Sequence, residues 1–235
     1  MSFRTKVVEL LKKMYTTPMV LEEKYPEMKK ILDKVCGNGQ GLGNKCSDQE
    51  ACFATILENE GWKNNQTGSL LDGIGYKYQA QGTQKALDFQ LQNVVKNKIT
   101  EFVNIDLKHS DEDSIFLNDG TFLHDVVYVI SFTKKLPKVT GQRKLPREKV
   151  CTIALGQDIM TDRDRIALET RFNALKQMNS IKEELDSLSL YVRNANQYSC
   201  KKFTTEFNQT AINRVLTWLE SSSSPTEPEQ HSLSA

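Results

Sequence analysis

Two predicted β-strands carry acidic side chains on their polar faces. In the first strand, residues 87–91, apolar residues stand at every second position and Asp88 lies between the first two of them. In the second strand, residues 103–108, Asp106 and Lys108 alternate with aliphatic residues. Alternate residues of a strand share a face, so Asp106 and Lys108 point to the same side. If the two strands are neighbours, both carboxylates converge at one edge of the sheet, beside an ammonium group.

This set of groups has the chemistry that phosphodiester hydrolysis needs. Mg²⁺ binds carboxylate oxygens, keeps several waters and accepts phosphate oxygens, so we expect Asp88 and Asp106 to bind Mg²⁺. The cation would lower the pKa of a bound water and neutralise charge on the phosphoryl oxygens. Lys108 could then orient or deprotonate the attacking water and favour the transition state through its charge. The alternative is that all three are solvated residues on the open face of an antiparallel sheet.

The acid-x-Lys spacing is weak evidence by itself, because a chain of this composition contains about three such triplets by chance. It occurs at Glu22, at Glu27 and at Asp106. The copy at Asp106 is distinguished by its setting. It alone lies on a predicted strand, and it alone follows another predicted strand with an acid on the polar face.

The periodicity of apolar residues and the capping residues predict the elements that must position these side chains. A strand buried on both faces is predicted at 126–132, where the apolar run is nearly continuous, and a short apolar strand is predicted at 150–155. Helices are predicted around residues 7–15, 26–37, 47–61 and 207–221, with a long polar helical region at 158–195.

Asp88 together with Asp106-Leu107-Lys108 on two strands, followed by a buried strand, resembles the PD-(D/E)xK nucleases, and among them the type II restriction endonucleases. The resemblance covers residues 85–132, and Leu87 stands where the family often has proline. It implies an endonuclease that uses Mg²⁺ to cut double-stranded DNA at a short sequence, giving 5′-phosphate and 3′-hydroxyl ends. It also implies that Asp88 and Asp106 bind the metal and that Lys108 positions water.

In this family a glutamate on the helix before the sheet often completes the site, and the resemblance makes Glu50 the candidate. A structural role is equally consistent with the sequence. Residues 47–50, Ser-Asp-Gln-Glu, have the pattern of a capping box, in which Glu50 would reach back to the backbone of Ser47.

A basic segment is the first candidate for DNA contact. Residues 134–149 hold seven Lys or Arg against one Glu and are interrupted by Pro and Gly, which predicts a surface loop. Its cations could neutralise phosphates, and Arg143 with its neighbours could reach base edges in the major groove. A solvated surface loop is the alternative. The predicted DNA contacts are Lys134, Lys135, Lys138, Gln142, Arg143, Lys144, Arg147 and His109.

The overall prediction is an α/β fold with a central mixed β-sheet flanked by helices, a restriction-endonuclease-like core with helical N- and C-terminal elements. The chain has 235 residues, which is enough for one sizeable core. We expect a single nuclease domain at 1–220, made of a helical part at 1–45, the catalytic core at 46–156 and a second helical part at 157–220. The Ser- and Pro-rich segment 221–235 is predicted to be disordered.

Composition excludes several classes of protein. No apolar run approaches the length of a membrane span, and the five cysteines show no CxxC spacing, which argues against a membrane protein, a disulfide scaffold or a structural zinc site. The net charge is +1, so affinity for DNA must come from local clusters of charge. We expect a cytoplasmic protein that acts on double-stranded DNA as a homodimer, or as a monomer that cuts the two strands in succession. The alternatives are a repair or junction nuclease with the same core, and a catalytically silent DNA-binding protein.

Overall fold

A computed structural model of the chain describes residues 2–28, 48–66, 70–79, 87–118, 121–137, 147–179 and 195–221. Helices α1–α5 are Phe3–Thr16, Asp48–Asn59, Gly156–Ile159, Asp162–Asn179 and Thr205–Ser221, and short 3-10 helices cover Pro18–Glu22 and Cys200–Lys202. Strands β1–β8 are Lys63–Asn64, Gly73–Tyr78, Phe89–Val95, Lys98–Ser110, Ser114–Asn118, Val126–Lys135, Arg147–Leu155 and Ala195–Ser199.

Six strands form a mixed central sheet in the order β1-β2-β3-β4-β6-β7. Strands β2, β3 and β4 are antiparallel neighbours, β6 runs parallel to β4, and β7 returns antiparallel to β6. Strands β5 and β8 form a separate antiparallel pair. The sheet therefore has its longest strand, β4, near the centre, between an antiparallel and a parallel neighbour.

A tight hairpin and a bulge set the register between β3 and β4. Lys96 and Asn97, at its turn, have φ values of 52° and 60°, as two-residue hairpin turns of type I′ require. From this turn the pairing runs back through a shift of one residue between Asn93 and Val94 to Phe89, which lies opposite Ile105. The register therefore brings the chain just before β3 alongside the second half of β4.

Helices cover one face of the central sheet. Phe89, Ile105 and Val129, from three adjacent strands, are fully buried there. Their side chains pack in one cluster with the apolar faces of α1, α2 and α5. None of the described helices combines the length and the apolar character needed to span a bilayer. This helical layer fixes which residues of β3 and β4 face the core, and so which face the other side.

The opposite face is apolar on one half and polar on the other. Beneath β6, Tyr128 and Ile130 pack in a second buried cluster with Ile115 of β5. Beneath β3 and β4, the same face carries polar side chains, including Gln90 and Asp106. Strands β5 and β8 pack beneath β6, while the polar side chains of β3 and β4 range from buried, as at Asp106, to half-buried, as at Lys108.

The α/β class and the mixed central sheet agree with the sequence-based expectation, and the predicted strand at 126–132 is buried over its whole length. Two details were wrong. Leu87 does not share a face with the other apolar residues of its segment, because the chain bends at Asp88 and Leu87 joins the second cluster. The basic segment 134–149 is not all loop, since Lys135 ends β6 and Arg147 begins β7.

Other parts of the fold were not expected. Strands β1, β2 and β5 were missed, and β8 begins at Ala195, where a long helical region was predicted. That region contains α4, which ends at Asn179. The predicted helix at 26–37 lies outside the described residues except for its first turn, and the predicted disordered segment lies outside them after Ser221.

Replacing Phe89 by alanine tests the main core. Its ring lies 4.7 Å from that of Phe53 and 5.3 Å from that of Tyr78, between centroids. We expect Phe89→Ala to lower the free energy of unfolding by about 3–5 kcal/mol, because a large buried cavity replaces these contacts. Urea denaturation measures the change. Phe116→Ala is the control, because Phe116 is 59% exposed, and its effect should stay below about 0.5 kcal/mol. Equal losses in both variants would contradict this description of the core.

Candidate functional site

Asp88 lies directly before β3, beside the second half of β4. Because Phe89 pairs with Ile105, Asp88 neighbours Asp106 across the two strands. The backbone N–H of Leu107 donates to Asp88 Oδ2 over 2.8 Å. The hairpin register therefore brings together two acids that lie 18 residues apart in the chain.

Asp106 and Lys108 form an ion pair on the polar face of β4. The Lys108 Nζ atom lies 2.5 Å from Asp106 Oδ2. The Asp106 side chain is 2% exposed and that of Lys108 is 23% exposed, so the carboxylate is buried and the ammonium group reaches toward solvent. Asp106 also interacts with the side chain of Asp88.

Burial raises the pKa of both acids. Burial raises the pKa of Asp88 to about 7, with a further increase from the charge of Asp106 and a partial decrease from Lys108. Burial also raises the pKa of Asp106, although Lys108 opposes the shift. The pKa of Lys108 is raised, because attraction to Asp106 and Asp88 outweighs the effect of its burial. Burial therefore disfavours the charged forms of both acids, and Lys108 offsets only part of that effect.

Glu50, on the first turn of α2, belongs to the same electrostatic cluster. Its charge raises the pKa of Asp106 and that of Lys108. Tyr78 donates its hydroxyl hydrogen to Glu50 Oε2 over 2.7 Å. The predicted capping contact to Ser47 falls outside the described residues. The four residues predicted for catalysis are therefore brought together by α2, β3 and β4.

Two tyrosines at the site were not predicted. Tyr78 holds Glu50, as described above. Tyr128 is paired in register with Asp106 on the neighbouring strand β6, and its hydroxyl accepts a hydrogen bond from the Leu123 N–H. Burial and then the charge of Asp106 raise the pKa of Tyr128. The position of Tyr128 depends on the register between β4 and β6, which no sequence pattern reveals.

The donor set matches the way proteins bind Mg²⁺. In the residues that the structure describes, no three His, Cys, Asp or Glu side chains form a metal-binding group by themselves. Mg²⁺ does not need one, since it is bound through one or two carboxylates and takes its other ligands from water and substrate phosphate. Asp88 and Asp106 supply two neighbouring carboxylates, and Lys108 pairs with one oxygen of Asp106.

The predicted DNA contacts are only partly described. Lys134, Lys135 and Arg147 are exposed at the end of the β6–β7 pair, and Lys135 Nζ lies 2.5 Å from Glu112 Oε2. His109 is exposed, on the opposite face of β4 from Lys108 by strand alternation, and lies 3.6 Å from Asp111. The predicted contacts Lys138, Gln142, Arg143 and Lys144 lie outside the described residues.

Comparison of the chain with family models, with curated proteins and with solved structures gave no match. The resemblance of residues 85–132 to a nuclease motif accordingly stays a prediction. The interpretation of the site depends on its own residues and their geometry.

Removing the charge of Asp88 should stabilise the folded protein. Its pKa of about 7 lies above the ordinary value of 3.8, so the folded state binds more protons than the unfolded state between these pH values, and stability falls as pH rises through that window. Asp88→Asn keeps an acceptor for the Leu107 N–H and removes the charge. We expect its melting temperature to exceed that of the unaltered chain by several degrees at pH 8, and by less at pH 4.

The matched control is Asp111→Asn. Asp111 is exposed, and a hydrogen bond from Lys149 is the main cause of its lowered pKa, so removing this charge should give no gain at pH 8. Thermal unfolding at both pH values, in buffer without divalent cations, measures the difference. A lower melting temperature for Asp88→Asn than for the unaltered chain at pH 8 would contradict the electrostatic description of the site.

Proposed function

We propose that the protein is a Mg²⁺-dependent endonuclease that hydrolyses phosphodiester bonds in double-stranded DNA. The observation that carries the proposal is the buried pair of Asp106 and Lys108, with Nζ 2.5 Å from Oδ2, beside Asp88. Burying charge is costly, and a single ammonium group does not offset the burial of two neighbouring acids. The pKa values of Asp88 and Asp106 both remain raised beside Lys108. Strongly shifted acids of this kind are enriched at functional sites.

In this proposal each residue has a separate role. Asp88 and Asp106 hold the cation, and Glu50 adds negative charge to the same cluster. Bound Mg²⁺ supplies Lewis-acid stabilisation of the phosphoryl oxygens and a more acidic water. Lys108 orients the attacking water, and its ammonium group stabilises the negative charge that develops in the transition state.

The reaction is a hydrolysis in which one bond forms and one breaks. The water oxygen forms a bond to phosphorus, and the bond between phosphorus and the 3′ oxygen breaks. The water proton passes to solvent, and the departing 3′ oxygen takes up a proton from solvent. The products are a 5′-phosphate and a 3′-hydroxyl, the ends that the resemblance to PD-(D/E)xK nucleases implies.

We extend the proposal to sequence-specific cleavage by an enzyme of type II restriction character. Helix α2 with Glu50, the β3–β4 hairpin with Asp88 and Asp106, and the parallel strand β6 support a restriction-endonuclease-like core. Cutting both strands of a palindromic site usually takes two active sites, so we propose a homodimer, with a monomer that cuts the strands in succession as the alternative.

The β6–β7 connection is the proposed DNA-contacting segment. It joins two strands that end in exposed cations, among them Lys134 and Arg147. Lys135 already pairs with Glu112, so a DNA phosphate would have to compete with that carboxylate. Base recognition is proposed for the part of the connection that contains Arg143.

Lys108→Ala tests the catalytic assignment. With the ammonium group gone, we expect the rate of plasmid cleavage in Mg²⁺ to fall by at least about a hundredfold, the usual loss when one group that stabilises the transition state is removed. Mg²⁺ binding should persist, because both carboxylates remain. The control is Lys24→Ala, which alters the lysine of another acid-x-Lys triplet at an exposed position and should leave the rate unchanged.

Gel electrophoresis of the plasmid and sequencing of the new ends distinguish the possible outcomes. Discrete fragments with 5′-phosphates support the proposal. Nicking that depends on branches or damage would indicate a repair or junction nuclease instead. Retarded plasmid without any cleavage would indicate a non-catalytic DNA-binding protein. Cleavage by Lys108→Ala at the unaltered rate would remove the catalytic assignment.

A further inference from the structure

Four side-chain amides form a chain of hydrogen bonds across the polar face of the sheet, ending on the strand of the candidate site. Asn65 Nδ2 donates to Gln92 Oε1 over 3.1 Å. Gln92 Nε2 donates to Gln90 Oε1 over 2.8 Å. Gln90 Nε2 donates to Asn104 Oδ1 over 3.1 Å. We call these four residues the amide relay.

The orientation of the amide groups is fixed at Asn65, the end of the amide relay that is farthest from the candidate site. The backbone N–H of Leu71 donates to Asn65 Oδ1 over 3.3 Å, and a backbone N–H can only donate. Asn65 must therefore turn its NH₂ group toward Gln92. Each following amide is oriented in the same way, because it accepts a hydrogen bond through its oxygen and donates one through its NH₂ group. At the last residue, Asn104, the oxygen is occupied and the NH₂ group is left over.

Burial prevents the first two amides of the relay from turning over. Asn65 is 5% exposed and Gln92 is 1% exposed, so reversing either would bury donors or acceptors without partners. Gly75, opposite Gln92 in register, makes room for this contact, since a Cβ there would lie 2.5 Å from Asn65 Nδ2. The orientation of Asn104 is therefore set by the fold and not by solvent.

Asn104 presents its NH₂ group next to the proposed catalytic residues. It lies on the same face of β4 as Asp106, two residues away, which corresponds to about 7 Å along a strand. It is half-buried, and its Nδ2 atom has no hydrogen-bond acceptor in the described ranges. Two carboxylates beside it would repel a DNA phosphate, and a phosphate oxygen accepts hydrogen bonds but cannot donate them. A neutral donor held in this place complements such an oxygen.

We infer that Asn104 Nδ2 donates a hydrogen bond to a phosphate oxygen of the DNA strand next to the scissile phosphodiester bond. Asn65, Gln92 and Gln90 are positioning residues that hold Asn104 with its donor outward. This inference rests on the proposed endonuclease function and assigns that site a substrate contact.

DNA binding without cleavage tests the contact. The parent is the full chain carrying Lys108→Ala, with Mg²⁺ present, and the probe is a short fluorescent double-stranded DNA with a randomised central sequence. Adding Asn104→Ala should weaken binding about tenfold, the usual loss of a hydrogen bond to a charged group. Fluorescence anisotropy measures the affinity. An affinity equal to that of the parent would overturn the inference.

Asn65→Asp tests the relay from its far end. A carboxylate cannot donate to Gln92, so each following amide must turn over, and Asn104 would then present its oxygen to the phosphate. We expect a loss of about tenfold, similar to that of Asn104→Ala. The double variant should bind no more weakly than Asn104→Ala alone, because both changes act through one contact. Additive losses would overturn the relay.

Two further variants distinguish a loss of DNA affinity caused by a disturbed fold from a loss caused by the orientation of Asn104. Gln90→Leu interrupts the relay without burying a charge, and leaves Asn104 free to present either end, so binding should weaken about twofold. Asn213→Asp makes the same chemical change as Asn65→Asp at an exposed position on α5, where its oxygen still accepts from Gln209, and affinity should not change. Unaltered binding by Gln90→Leu would overturn the role of the relay.

The proposed function and this inference can fail separately. If the unaltered chain does not cleave DNA and the parent does not bind it, the proposed function fails and the inference falls with it. If the unaltered chain cleaves DNA and Lys108→Ala abolishes cleavage, but Asn104→Ala binds like the parent, only the inference fails.

Discussion

The buried carboxylate of Asp106 is the constraint on which the rest of the site depends. The fold removes it from solvent, sets a second acid beside it and supplies one cation, Lys108, at 2.5 Å. Burial raises the pKa of Asp106, so its charged form is disfavoured until something else compensates it. Such an arrangement lowers the stability of the metal-free protein, and a bound divalent cation would restore the balance. Proteins retain costly groups of this kind mainly where function requires them.

The geometry of the sheet makes this arrangement possible. The β3–β4 hairpin places Asp88 beside Asp106, and the parallel strand β6 places Tyr128 opposite Asp106 in register. The layer formed by β5 and β8 packs under the apolar half of that face, and β3 and β4 carry its polar half. One face of one strand thus carries Asn104, Asp106 and Lys108 in a row, in which Asp106 is buried and the other two are half-buried.

Sequence periodicity predicted the part of the site that lies within one strand. Alternation in residues 103–108 correctly placed Asp106 and Lys108 on one face, because β4 is regular there. It failed at Leu87, where the chain bends before β3 and the side chain turns to the other cluster. Strand β2, the contact of Tyr78 with Glu50 and the amide relay depend on registers between strands, and local patterns carry no information on these. Strand β2 begins with Gly73 and has a second glycine at Gly75. Glycine is depleted in strands, so the sequence does not indicate a strand here.

Binding of Mg²⁺ to the protein without DNA tests the central claim most directly. Isothermal titration calorimetry at pH 7 should show one site per chain in the unaltered protein. The heat should depend on the ionisation enthalpy of the buffer, because the cation displaces protons from acids whose pKa is raised. The Asp106→Asn variant should show no binding, while Asp111→Asn should bind normally. Absence of binding in the unaltered protein, or equal binding after Asp106→Asn, would contradict the assignment of this site.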